Sequence, residues 1–274
     1  MNVMDYTLST ALLKTAVSAA RLAGDIILRN LGQLSPGDVQ TKQAFDFVTK
    51  VDRWSEAVIV QTIKEKFPHH LFLSEETLRQ KGDGLYRWII DPLDGTTNYI
   101  HSYPMFSISI ALEHQNRIVL GVVFDPLKDE LFHAIKGNGT FLNNGKIRVS
   151  QTDILEKSLI ATGFPFRKKE MIDNYLEAFR QIFEKVSDIR RAGSAAIDLA
   201  YIAAGRVEGF FELNLSPWDI AAGSLLITEA GGRITDFGGG EHYLETGNIV
   251  AGNADIHPEI LRIIRQVFQG VTET

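Results

Sequence analysis

Apolar residues recur at Leu12, Leu13, Ala16, Val17, Ala20, Ala23 and Ile27, spacings that place them on one side of a helix. Lys14, Arg21 and Asp25 interrupt the stripe. A signal peptide keeps its apolar region uncharged, so residues 1–31 are expected to form an amphipathic helix of a soluble chain. A polar loop is expected around 35–42. Val51, Val58, Ile59, Ile63 and Phe67 then define a second helical face that Pro68 ends. Short β-type runs follow: Leu71-Phe72-Leu73 leads into Ser74-Glu75-Glu76, and Trp88-Ile89-Ile90 leads into Asp91-Pro92. Both apolar runs end at carboxylates.

Residues 106–112, 118–124 and 130–135 read as three consecutive strands joined by polar turns, and Asn144-Gly145 marks a hairpin. From Leu159 onward strands alternate with helices. Helices are expected at about 169–186, 194–204, 217–230 and 258–268, and β runs at 209–213 and 249–251. Gly238-Gly239-Gly240 reads as a surface loop. No run is long and apolar enough to span a bilayer, and no internal repeat or linker interrupts the pattern.

With 274 residues and 45% of them hydrophobic, the chain can bury one large core without disulfides. It is expected to be a single catalytic unit over 1–274, built of two packed lobes of about 1–150 and 151–274. The absence of Cys excludes a thiol nucleophile and a zinc–thiolate site, and it fits a reducing cytoplasm. A net charge of −6 with no long Lys/Arg block weighs against direct nucleic-acid binding and against an anionic membrane surface. An anionic substrate would then need local positive charge, which metal ions can supply.

Asp91-Pro92-Leu93-Asp94-Gly95-Thr96-Thr97 is the strongest local feature. Pro92 fixes its own φ and biases Asp91 away from helix, so the chain can turn while Asp91, Asp94 and the Leu93 carbonyl converge on a hard cation. Oxygen-only ligands favour Mg²⁺ or Mn²⁺. If Thr96 opens a helix, its N–H groups can hold a phosphate beside the metal. The alternative is a common Asp-Pro and Asp-Gly turn with Asp94 as an N-cap. Glu75-Glu76 either places Glu75 on a neighbouring strand end close to Asp91 or is a solvated turn. Asp219 follows Pro217-Trp218, either as a ligand or as an acid paired with a helix N-terminus. Asp52 is either functional or a solvated residue in the second helix's first turn. His69-His70, His101 and His133 lack metal-binding spacing and are expected at the surface or in loops, and Arg190-Arg191 is either a pair that reaches a substrate's second phosphate or, as the plainer reading, a surface basic pair. Neither a P-loop nor a dinucleotide fingerprint is met, and no G-x-S-x-G elbow is present.

Taken in order, the segment from Asp46 to Asp52, Glu75-Glu76, the run from Trp88 to Thr97, Gly193-Ser194-Ala195-Ala196, and the run from Trp218 to Gly223 followed by Glu229-Ala230-Gly231-Gly232 resemble the blocks of the inositol monophosphatase family. The resemblance covers nearly the whole chain. It implies an α+β fold, a layered α/β/α/β/α sandwich of the inositol monophosphatase and fructose-1,6-bisphosphatase type. It implies that Glu75, Asp91 and the Leu93 carbonyl hold one Mg²⁺, that Asp91, Asp94 and Asp219 hold a second, and that a third, weaker ion lies near Glu75. Asp52 with Thr96 would activate water, and the Gly95 and Thr96 amides would hold the phosphate. Asp94, Ser194, Ala195 and Glu212 would recognise a small phosphorylated polyol or sugar. The implied activity is hydrolysis of myo-inositol monophosphate, sensitive to lithium, by a homodimer. Other branches of the same superfamily are fructose-1,6-bisphosphatase, histidinol-phosphatase and 3′-phosphoadenosine 5′-phosphate phosphatase. A different class is a regulatory binding protein, since some bacterial relatives associate with the transcription machinery. Phe164-Pro165-Phe166 stands where some animal members carry small polar residues near the substrate, a departure that bears on strict inositol preference.

Overall fold

The computed structural model describes residues 6–43, 46–80 and 84–269. The chain begins with helix α1 (Tyr6–Asn30), strands β1 (Val39–Gln43) and β2 (Asp46–Thr49), and helix α2 (Lys50–Lys66). Next come β3 (Leu71–Ser74), β4 (Tyr86–Asp94), the short α3 (Thr96–Ile100), β5 (Ser107–His114), β6 (Arg117–Asp125), β7 (Glu130–Ile135), β8 (Gly139–Leu142) and β9 (Gly145–Ile147). The second half holds β10 (Leu159–Thr162), α4 (Ile172–Phe183), β11 (Asp188–Arg190), α5 (Ala195–Ala203), β12 (Gly209–Glu212), α6 (Pro217–Glu229), β13 (Arg233–Thr235), α7 (Tyr243–Thr246), β14 (Ile249–Gly252) and α8 (Ile256–Phe268).

Strand alternation explains how these elements layer. Successive side chains on a strand point to opposite faces. Trp88, Ile90, Ile108 and Ile110 turn to α1 and α2, where they meet Ala16, Ala23, Ile27, Ile59 and Ile63. Their neighbours Ile89, Ala111 and Val123 turn the other way, onto Leu199 and Ala222 of α5 and α6. Those helices also cover Ala161, Phe210 and Ala251 of the second sheet. On its far face Ile160, Phe211 and Val250 meet Tyr175, Ile182, Ile260 and Ile264 of α4 and α8. The result is the expected α/β/α/β/α sandwich. Its larger sheet runs β3-β4-β5-β6-β7-β8-β9, and its smaller one runs β11-β10-β12-β14-β13.

Most expected elements are found, with two differences. The loop expected around 35–42 contains β1, which pairs antiparallel with β2. Its residues are polar after Val39, so the pairing rests on main-chain bonds and leaves no apolar alternation to read. The edge strands β11 and β13 are equally short and polar. The first five positions of the helix expected over 1–31 lie outside the described residues. Among the described residues, no helix is long and apolar enough to cross a membrane.

Candidate active site

Two residues three apart on a regular strand point to opposite faces. Asp91 pairs with Ser109 and Asp94 with Ser107, so β4 carries one more residue than β5 across this stretch, a bulge at Pro92-Leu93. The bulge brings both aspartates to the side facing α6. At the N-terminus of α6, Ser216 and Asp219 form a capping box with Pro217 at the first position. One oxygen from each of Asp91, Asp94 and Asp219 lies within 4.8 Å of the others.

Each of these carboxylates is anchored by an internal donor. The Leu93 amide donates to Asp91 Oδ1 at 2.9 Å. Ser194 Oγ and the Ala196 amide, at the start of α5, donate to Asp94 Oδ2 at 2.5 and 2.9 Å. The Ser216 amide donates to Asp219 Oδ2 at 2.8 Å. Burial and mutual repulsion nevertheless disfavour their charge. Burial, then Glu75, Asp94 and Asp219, hold Asp91 well above the usual carboxylate range. Burial pushes Asp94 up to about 6 and, with Asp94 as neighbour, Asp219 up to about 7.

Glu75 continues β3, its amide donating to the Ile90 carbonyl at 3.1 Å, which brings it beside Asp91. Arg79 ties this loop to α6: its Nη2 donates to the Glu75 carbonyl at 2.7 Å while its guanidinium sits 4.4 Å over the Trp218 ring. Asp52 closes the capping box of α2, its Oδ2 accepting from Thr49. Its Oδ1 accepts from Thr96 Oγ1 at 2.9 Å. Gly95 caps α3 at φ 91°, and a Cβ there would stand 2.9 Å from the Met105 carbonyl, so the turn after Asp94 requires glycine. A cleft of about 350 Å³ opens over these residues, lined also by Thr162, Gly163, Arg167, Arg191, Asp198 and Glu212.

The inositol monophosphatase family model matches residues 9–269, across the cleft and both sheets. The chain belongs to the inositol monophosphatase family. Nus factor SuhB of Escherichia coli (strain K12) is 46% identical over 255 residues, which cover 93% of this chain and 96% of that protein. The crystal structure of extragenic suppressor protein suhB from Bartonella henselae is 43% identical, with a TM-score of 0.90 over 95% of this chain and 100% of that one. The structure of inositol monophosphatase from Anabaena (Nostoc) sp. PCC 7120 is 40% identical, with a TM-score of 0.84 over 94% and 96%.

In this inositol monophosphatase family member, Asp91, Asp94 and Asp219 converge, while Glu75 lines the same cleft with its Oε1 bound to Lys42 Nζ at 2.9 Å. The Leu93 carbonyl accepts from Thr96 Oγ1 at 3.1 Å. Gly95, Thr96, Ser194, Ala195 and Glu212 all line the cleft.

Several bland expectations give way. Asp52 is wholly buried rather than solvated, and Glu76 is held by Lys42 at 2.5 Å rather than lying in an open turn. His70 lies in the loop after α2, as expected, but is half-buried there: it stacks between Phe67 and Tyr86, and its Nδ1 accepts from Trp88 Nε1 at 3.0 Å. His133 stacks on Phe141 within β7 and β8. The basic pair divides, Arg190 binding Asp188 at 2.5 Å while Arg191 reaches the cleft. Sequence reasoning missed Lys42, Arg167 and Asp198. Only Asp198 left a signal, a single charge within the apolar run Ala195-Ala196-Ile197-Asp198-Leu199-Ala200.

Proposed function

We propose that this chain is a Mg²⁺-dependent phosphatase that hydrolyses a small phosphate monoester, with myo-inositol monophosphate as its substrate, in the cytoplasm and as a homodimer. The observation that carries this reading is the convergence of three buried carboxylates in the cleft of a chain belonging to this family. The donors are all oxygen, and among the described residues no Lys or Arg forms an ion pair with any of the three, so a hard divalent cation fits them: Mg²⁺, with Mn²⁺ as substitute. In this reading Glu75, Asp91 and the Leu93 carbonyl hold one ion and Asp91, Asp94 and Asp219 a second, with a third near Glu75. When bound, the ions neutralise the phosphate, lower the pKa of water and stabilise the departing alkoxide.

The chain's own groups do the rest. Thr96 Oγ1 gives its proton to Asp52 Oδ1, which leaves a Thr96 lone pair to take a proton from the attacking water. Burial pushes Asp52 up to about 6 against the hydrogen bonds from Thr49 and Thr96 that favour its ionised form, so near neutrality it is largely ionised and basic enough to accept a proton. The first amides of α3, at Gly95 and Thr96, have no partner inside the helix and hold the phosphate. Ser194, Ala195, Asp94 and Glu212 receive the alcohol. A panel of phosphate esters assayed with Mg²⁺, with and without Li⁺, tests the reading. Release of phosphate from myo-inositol monophosphate, suppressed by Li⁺, is expected, and no release from any ester would refute it.

The name Nus factor, borne by relatives of 46% identity, supports a second role in contact with the transcription machinery. Asp94→Asn separates the two roles. Loss of phosphate release with the cellular role intact would favour the binding role as the physiological one.

A further inference from the structure

Asp198 lies in the first turn of α5 and is 4% exposed; Glu212 ends β12 and is 8% exposed. Both line the cleft, and no donor among the described residues hydrogen-bonds to either carboxylate. Glu212 instead lies against the main chain of Gly163, where a Cβ would stand 2.1 Å from its Cδ and Oε1. Thus the absence of a side chain at 163 is what lets this carboxylate reach the cleft. Burial, then Asp198 and Asp219, hold Glu212 above the usual carboxylate range, and burial, then Asp94, do the same to Asp198. Arg191 is the cation that acts on both. Buried polar groups without a protein partner are rare, and a ligand that brings the missing hydrogen bonds accounts for two of them facing one cleft.

We propose that Asp198 is a further specificity-determining residue: it joins Glu212, which the phosphatase reading already places at the alcohol, in receiving hydroxyl groups of the ester, and with it keeps a second phosphate out. The inference rests on the phosphatase reading and adds which esters fit. A hydroxyl both donates and accepts, so it satisfies these carboxyls whether they are ionised or share a proton. A phosphate dianion brings acceptors alone, and charge of the same sign, against two acids that one guanidinium cannot neutralise. The cleft therefore takes a polyol monophosphate in preference to a bisphosphate.

The test is calorimetric titration of the Mg²⁺-loaded full chain with myo-inositol 1-phosphate and with fructose 1,6-bisphosphate. Alongside it, kcat and KM are measured on both and on phenyl phosphate, whose alcohol part offers no further hydroxyl. Asp198→Asn is expected to weaken myo-inositol 1-phosphate about tenfold or more, chiefly in KM, to leave phenyl phosphate within about twofold, and to narrow the preference over the bisphosphate. Thermal melting checks the fold, and Asp198→Ser carries the same test if the asparagine variant does not fold. An equal loss on phenyl phosphate, unchanged affinity for myo-inositol 1-phosphate, or a wild-type preference for the bisphosphate would overturn the proposal. Asp198-dependent binding without phosphate release from any ester would sink the phosphatase reading and leave the subsite standing, and a wild type that binds no ester would sink both.

Discussion

Two adjoining groups of buried acids line the cleft, yet their carboxylates are held in opposite ways. At the end of β4, Asp91, Asp94 and Asp219 each have one oxygen committed to internal donors, three of the four donors coming from the starts of α5 and α6. A second oxygen of each remains available, so the set is preorganised for an ion. At the end of β12, Glu212 and its neighbour Asp198 have no internal donor among the described residues. On the proposed reading, the same residue type would serve as a ligand in one place and as an acceptor for hydroxyls in the other, according to what the adjacent backbone offers.

The largest effect expected from breaking the first group is with Asp91→Asn. Phosphate release should fall by at least about a hundredfold, while the metal-free protein melts higher because a crowded negative charge has gone. Calorimetry with and without Mg²⁺ checks this: the wild type should show a Mg²⁺-dependent rise in Tm, and the variant should lose it. Thr96→Val comes next. It removes the proton link to Asp52, so kcat should fall about a hundredfold with little change in KM.

A pair of glycine substitutions sharpens the contrast between the groups. Gly95→Ala forces a Cβ against the Met105 carbonyl at positive φ, costing about 1–2 kcal/mol and lowering activity on every ester. Gly163→Ala displaces the Glu212 carboxylate alone, so activity on a polyol phosphate should fall about tenfold while phenyl phosphate is spared. Urea unfolding and kcat/KM on the two esters distinguish them.

How much of this could be read in advance followed the range of each interaction. The turn at Asp91 and Asp94 was legible because Asp-Pro and Asp-Gly act locally, and the layered sandwich followed from the family resemblance with the apolar periodicity in agreement. The bulge was not legible, since its register depends on β5, some fifteen positions away along the chain and set by pairing rather than by composition. The hairpin of β1 and β2 was invisible because polar residues pair through their main chains. Asp52 and Asp219 were visible as helix-start acids, but burial against Thr96 and against Asp94 depends on tertiary packing. His70 shows the same limit: its partners Phe67, Tyr86 and Trp88 belong to the end of α2 and to β4.

That histidine supplies the smallest expected effect and a control outside the cleft. Burial, then His69, lowers its pKa from 6.5 to about 4, so its contribution to stability is fully present above 6.5 and is lost as pH falls through 4. His70→Gln keeps an acceptor for Trp88 but cannot titrate. Urea unfolding at pH 7.5 and pH 5 should show a smaller stability loss on acidification in the variant than in the wild type, with phosphate release unchanged at pH 7.5.

The central claim is that β4 and α6 together build a site for a divalent cation. Crystals soaked in Mn²⁺ and measured at the manganese absorption edge test it most directly. The account predicts an anomalous peak bounded by Asp91, Asp94 and Asp219 that disappears in Asp219→Asn. Full occupancy of those carboxylates by hydrogen bonds alone, with no peak among them at saturating Mn²⁺, would contradict it.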